Sequence, residues 1–160
     1  MADPSLEQKM LNQASAFIEG GARCGQFTEG TGPGNLIMPL PASVVCYAFS
    51  AELLLKLLLQ ITNGNVPRKH NLMELFNALP DNCKKLIRAS YEKKASKPGS
   101  SLDYDLSVLG PAFVDWRYVY EAESLAINPQ SLTQIVLALY TVSLDLKSDL
   151  IPPSHMTKYC

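Results

Sequence analysis

Charge is scarce in this chain. Asp, Glu, Lys and Arg make up 18% of its 160 residues and balance to a formal net charge of −1. No global field therefore draws it toward nucleic acid, and any basic patch has to be local. So low a charged fraction also points to some surface being covered by a partner. Histidine is rarer still: His70 and His155 lie far apart, and no Ser-His-Asp or Cys-His arrangement can be built from them. No paired carboxylates stand out either. The cysteines, Cys24, Cys46, Cys83 and Cys160, show no CxxC spacing, which leaves neither a zinc site nor a disulfide framework supported. No cofactor or metal is expected. Strand-like alternation never persists long enough to build a sheet, and no internal repeat appears. The N-terminus MADPSLEQKM is polar and mixed in charge, unlike a secretory leader, so a reducing, cytoplasmic setting is expected.

What is present in excess is one apolar stretch, Ala42 to Thr62, reading ASVVCYAFSAELLLKLLLQIT. Its hydrophobic residues cover nearly every direction of a helical wheel. Glu52, Lys56 and Gln60 recur every four residues as a thin polar stripe. Such a helix belongs at the centre of a helical domain. It is long enough to suggest a membrane span, but Glu52 and Lys56 would then cost about 2.5–3.5 kcal/mol each near mid-bilayer. In a bundle the same two residues stand in the favourable Glu-to-Lys order one turn apart. The expectation is the central helix of a single all-α domain spanning residues 1–160, an up-and-down bundle of five to six helices, with no membrane partner.

Around it, Asp3-Pro4 is expected to open a first helix that Gly20-Gly21 stops. Residues 20–41 carry six glycines and three prolines and read as a long loop. Its GTGPGN run, Gly30 to Asn35, lacks the preceding strand and the Gly-Lys-Ser/Thr ending of a phosphate-cradling loop. Asn71, three residues before Glu74, is expected to cap a short helix that Pro80 ends. Asp81 is expected to cap another, with Cys83, Leu86, Ile87 and Tyr91 inward. Ala95–Ser101 reads as a flexible linker. Pro111 suits the first turn of a helix carrying Phe113, Trp116, Tyr120 and Leu125. Asn128-Pro129 opens the last helix, and residues 152–160 are expected to be a loose tail.

Three places could carry chemistry. Glu52 and Lys56 on a buried helix need partners, each other or Arg117, because an unpaired buried charge is expensive. His70 lies in the basic run Arg68-Lys69-His70 and reads as packing or hydrogen-bonding at a helix entrance. Around Arg117, helical spacing puts Phe113, Trp116 and Tyr120 on one face, so core packing explains most of the aromatics there, with cation stacking or a nucleic-acid contact as the other reading.

Three blocks in order carry a family resemblance: Ala51-Glu52-Leu53-Leu54-Leu55-Lys56-Leu57-Leu58; His70-Asn71-Leu72-Met73-Glu74-Leu75-Phe76 with Leu79-Pro80; and Phe113 with Trp116-Arg117-Tyr118-Val119-Tyr120-Glu121. From about Ala42 to Glu121 the chain resembles the HEPN superfamily, in particular bacterial members with AELxLK, HxLxxLF and WRYxYE segments. The resemblance implies a dimerising helical bundle, often in toxin–antitoxin or antiphage defence. Many members are metal-independent ribonucleases with an Arg-X4-6-His motif shared between two protomers. Arg117 matches the arginine, but the histidine would fall at Ala122, Glu123 or Ser124, and Tyr118 stands where a small polar residue is usual. The expected function is accordingly a non-catalytic interaction or nucleotide- or RNA-sensing module, a homodimer or bound to a protein partner. Its binding residues would be Arg117, Tyr118, Glu121, Glu52, Lys56 and His70. The alternative is a divergent ribonuclease using Arg117 with His70 or Glu121.

Overall fold

A computed structural model describes residues 3–26, 28–29, 36–37, 40–94, 101–116 and 128–159. The fold is all-α. Helices α1 (Leu6–Cys24), α2 (Leu40–Asn63), α3 (Leu72–Asn77), α4 (Asp81–Lys94), α5 (Leu102–Leu109), the single turn α6 (Ala112–Asp115) and α7 (Pro129–Leu146) are followed by a 3-10 segment, Ser154–Tyr159. Two two-residue strands, β1 (Thr28–Glu29) and β2 (Leu36–Ile37), pair antiparallel with Thr28 opposite Ile37. They are a clip inside the α1–α2 connection and build no sheet beyond that pair.

Helix α2 is the axis the sequence implies. Leu54, Leu55, Leu57, Leu58 and Leu59 are all sealed from solvent, and α1, α6 and α7 pack against it. Each such leucine contributes roughly 1.5–3 kcal/mol of burial free energy. Among the described residues α2 is the one helix long and apolar enough to cross a membrane, and most of that stretch is buried by its neighbours. Helix α7 supplies the opposing wall with Leu132, Ile135, Val136, Leu139 and Val142, and α4 leans on α7.

The α1–α2 pair corrects one expectation. Gly20 and Gly21 do not stop α1, which continues to Cys24 and is capped at Gly25. They lie instead directly against α2. A Cβ on Gly21 would lie 3.0 Å from the Tyr47 ring, and one on Gly20 would lie 3.6 Å from Cys46 Sγ. Two hydroxyls stitch the crossing: Ser50 donates to the Ala14 carbonyl at 3.0 Å and Ser43 to the Gly21 carbonyl at 2.8 Å. Rising numbers on α2 meet falling numbers on α1, so the pair is antiparallel. The start also differs: Ser5, not Asp3, caps α1, its Oγ accepting from the Gln8 amide at 3.1 Å, while the Asp3 carboxylate pairs with Lys9.

Asp81 is not a cap but the first residue of α4, paired with Lys84 at 2.8 Å, whereas the two asparagine caps follow the sequence. Asn71 Oδ1 accepts from the Met73 and Glu74 amides, and Asn128 Oδ1 from those of Gln130 and Ser131. Glu74 does not close a capping box with its carboxylate, which pairs with Lys69 at 2.6 Å. Helix α4 buries Cys83, Ile87 and Tyr91 as expected, but Leu86 is 46% exposed. Leu86 instead lines a cleft between α4 and α7 together with Ala89, Ser90, Thr141 and Val142. Helix α5, capped by Ser101, follows the expected linker, whose residues 95–100 lie outside the described ones. The tail forms a 3-10 segment, Ser154–Tyr159, over most of its described length. Gln8 exchanges two 2.9 Å hydrogen bonds with the backbone of Ile151, and Met156 is fully buried.

Candidate functional site

The polar stripe of α2 faces inward, so its first member is forced into the core. Glu52 is 1% exposed. One turn on, Lys56 Nζ lies 2.8 Å from Glu52 Oε1. The chain then leaves α2 at Asn63 and turns at Gly64, whose φ of +64° is a conformation that glycine adopts without strain. It returns across α2 just before α3, which brings His70 Nδ1 to 3.0 Å from the same carboxylate oxygen. Since a carboxylate can only accept, Nδ1 carries the proton in this contact. The side chain of His70 remains 59% exposed and that of Lys56 14% exposed. Burial thus rises from His70 through Lys56 to Glu52, a polar cluster that reaches from the surface at the imidazole into the core.

The cluster is unevenly satisfied. Glu52 Oε1 receives both donors, whereas the buried Oε2 accepts no hydrogen bond among the described residues. A buried carboxylate oxygen without a donor costs free energy comparable to a lost hydrogen bond or more. Chemically, an acid behind an imidazole is the arrangement that orients a general base. Here the Lys56 ammonium sits on the oxygen that holds His70, so the imidazole meets a carboxylate whose charge is already compensated. Among the described residues no hydroxyl or thiol is hydrogen-bonded to His70.

Of the residues singled out from sequence, the structure brings Glu52, Lys56 and His70 together. Arg117, Tyr118 and Glu121 lie outside the described residues, as do Gly30 to Asn35 and Tyr120 and Leu125. Trp116, immediately before Arg117, is buried in the core. The Glu52–Lys56 pairing was among the readings open from sequence. The Glu52–His70 contact was not, because the two residues are 18 apart and no periodic pattern links a helix interior to a following connector.

A second polar set joins α4 to α5. Arg88 forks Asp103 with hydrogen bonds of 2.8 and 2.7 Å while its guanidinium lies 5.1 Å over the Phe76 ring. The Arg88 hydrogen bonds hold the Asp103 carboxyl below the usual carboxylate range. Fully buried Tyr91 donates its hydroxyl to Asp105; burial, then that acceptor, pushes the phenol up to about 12. Burial alone pushes the Cys83 thiol up to about 11. These groups brace one helix against another. Among the described residues, concavities elsewhere include the α4–α7 cleft of about 210 Å³, rimmed by Lys93, Lys94 and Asp145, and a shallow hollow by Gln8, Asn12 and Pro152 that includes His155. Among the described residues no group of His, Cys, Asp and Glu could hold a metal ion.

Comparison with protein-family models, with curated proteins and with solved structures finds no match to this chain.

Proposed function

We propose that this chain is a HEPN-like helical module that acts by binding, as a homodimer or on a protein partner, with nucleotide or RNA as the ligand class. One observation carries the reading. The first and second sequence blocks that resemble the family meet in space at Glu52 and His70, and the third begins at Phe113 in α6, which packs against α2. The meeting point is a half-exposed imidazole held by a buried acid, a directional contact surface. Catalysis is the weaker reading because Lys56 already compensates the acid and the matching histidine is missing from the stretch after Arg117.

The orientation of His70 by Glu52 gives the ribonuclease alternative one specific support, since an oriented imidazole is what attack by a ribose 2′-hydroxyl requires. A single set of measurements separates the two. Wild-type protein, Arg117→Ala and His70→Ala are each mixed with labelled single-stranded RNA in EDTA, and binding, cleavage and native mass are recorded. The binding module predicts a salt-dependent complex, weakened by both substitutions, and no cleavage. Cleavage lost in either variant overturns it in favour of the enzyme. A monomer that binds neither nucleotide nor RNA overturns both.

A further inference from the structure

We infer that Cys24 and Cys46 form a disulfide site, closed by peroxide-class oxidants, that staples the end of α1 to the start of α2. Along the chain the two are separated by the Gly/Pro-rich connection, which is why no spacing reveals them. In the fold they share one face of the antiparallel α1–α2 crossing. Cys46 Sγ lies 3.6 Å from where a Cβ on Gly20 would stand. Cys24 is one helical turn beyond Gly20, and residues i and i+4 present their Cβ atoms about 5–6 Å apart on one face. From the other side, Ser43 bonds the Gly21 carbonyl and lies 3.3 Å from a Cβ position on Gly25, so its contacts bracket Cys24. Both cysteines are free and only partly buried.

Helices usually pack with axes about 8–10 Å apart, but Gly20 and Gly21 remove the side chains that keep them there. A disulfide needs its Cα atoms within about 7 Å. Cys24 is the last residue of α1, with no following helical turn to fix it, and Cys46 Sγ faces the Gly20 position, where no side chain stands in its way. Burial and then the charge interaction with nearby Cys24 push the Cys46 thiol up, so the bridge forms under sustained peroxide and not as a fast sensor.

The chemistry balances. One thiolate attacks a peroxide oxygen, the O–O bond breaks, and a sulfenic acid and water result. The second sulfur then attacks the sulfenic sulfur, the S–S bond forms, and the displaced hydroxide leaves as water with the second thiol's proton. Two thiols lose two electrons and one hydrogen peroxide becomes two waters. The bridge encloses residues 25–45 and cuts the freedom of the unfolded chain.

The test treats the folded full chain with hydrogen peroxide, alkylates remaining thiols and maps the peptides by mass. The expected product is a Cys24–Cys46 cross-linked peptide, two hydrogens lighter than its reduced parts, with a urea midpoint raised and then restored by dithiothreitol. Cys24→Ser and Cys46→Ser should each abolish the peptide and the shift, while Cys83→Ser keeps both. Oxygenated single cysteines without the cross-link, a cross-link only between two copies, or a bridge that leaves the urea midpoint unmoved would each overturn the inference.

Discussion

Removing the Glu52 carboxylate is the sharpest probe of the polar cluster. In Glu52→Ala, Lys56 and His70 lose their common acceptor. Deleting one partner of a buried ion pair typically costs 3–5 kcal/mol, because the other charge is left uncompensated. Here the penalty sits at the lower end: His70 is more than half exposed and rehydrates, and Lys56, 14% exposed, can slide its ammonium toward water along its own stem. A loss of about 3 kcal/mol is expected, moving the urea midpoint down by roughly 1–2 M at an ordinary denaturant slope. Glu52→Gln retains an acceptor for one donor but puts an amide hydrogen where Oε2 has no partner, so about 1–2 kcal/mol is expected. The double change Glu52→Leu with Lys56→Leu replaces the pair by hydrocarbon of similar length. It should recover most of the loss, since such replacements are often neutral or stabilising. Urea unfolding at pH 7 followed by far-ultraviolet dichroism reads all three. A Glu52→Ala midpoint within error of wild type, or a double variant worse than Glu52→Ala, would refute the buried-pair account.

Other outcomes follow from single contacts. Gly21→Ala gains about 1 kcal/mol of helix propensity but drives a methyl to 3.0 Å from Tyr47, an overpacking worth about 1–3 kcal/mol. It should destabilise, Gly20→Ala should stabilise, and Tyr47→Leu should rescue the former in thermal melts. The phenol of Tyr91 is raised to about 12 in the fold against an ordinary value of about 10. Its contribution is complete below pH 10 and is lost as pH rises toward 12. Tyr91→Phe should flatten that part of the stability profile. Asp103 is held below its usual range by Arg88, so this pair's contribution is full above about pH 4, the ordinary carboxylate value, and fades as pH falls below it. Asp103→Asn should remove that acid-side loss in a pH series of urea melts.

The helices were legible wherever a side chain signals locally. Asn71 and Asn128 bond the amides of their own first turns, and the leucines of α2 announce a buried rod whichever neighbours surround it. Misreadings arose where the same residue serves two purposes. Gly20-Gly21 carries the composition of a helix stop, yet the crossing with Tyr47 uses it for close approach, a tertiary demand invisible along the chain. Leu86 fits the inner face of α4 by periodicity, but periodicity cannot report that the packing of α4 on α7 leaves a cleft at that position. The candidate site divided in the same way. Glu52 and Lys56 are one turn apart and could be paired from spacing, whereas His70 reaches them only because the chain doubles back after Gly64.

That doubling back has a mechanical consequence. Two residues past His70, the Leu72 amide donates to the Gly110 carbonyl at 3.1 Å, and Gly110 lies so near Asn71 that a Cβ there would come within 2.9 Å of its amide group. The connector is therefore pinned at one end to the central helix and at the other to the junction of α5 and α6. A force that lifts that junction tugs directly on the strap bearing the imidazole, and a ligand that shifts the imidazole pulls back along the same few bonds.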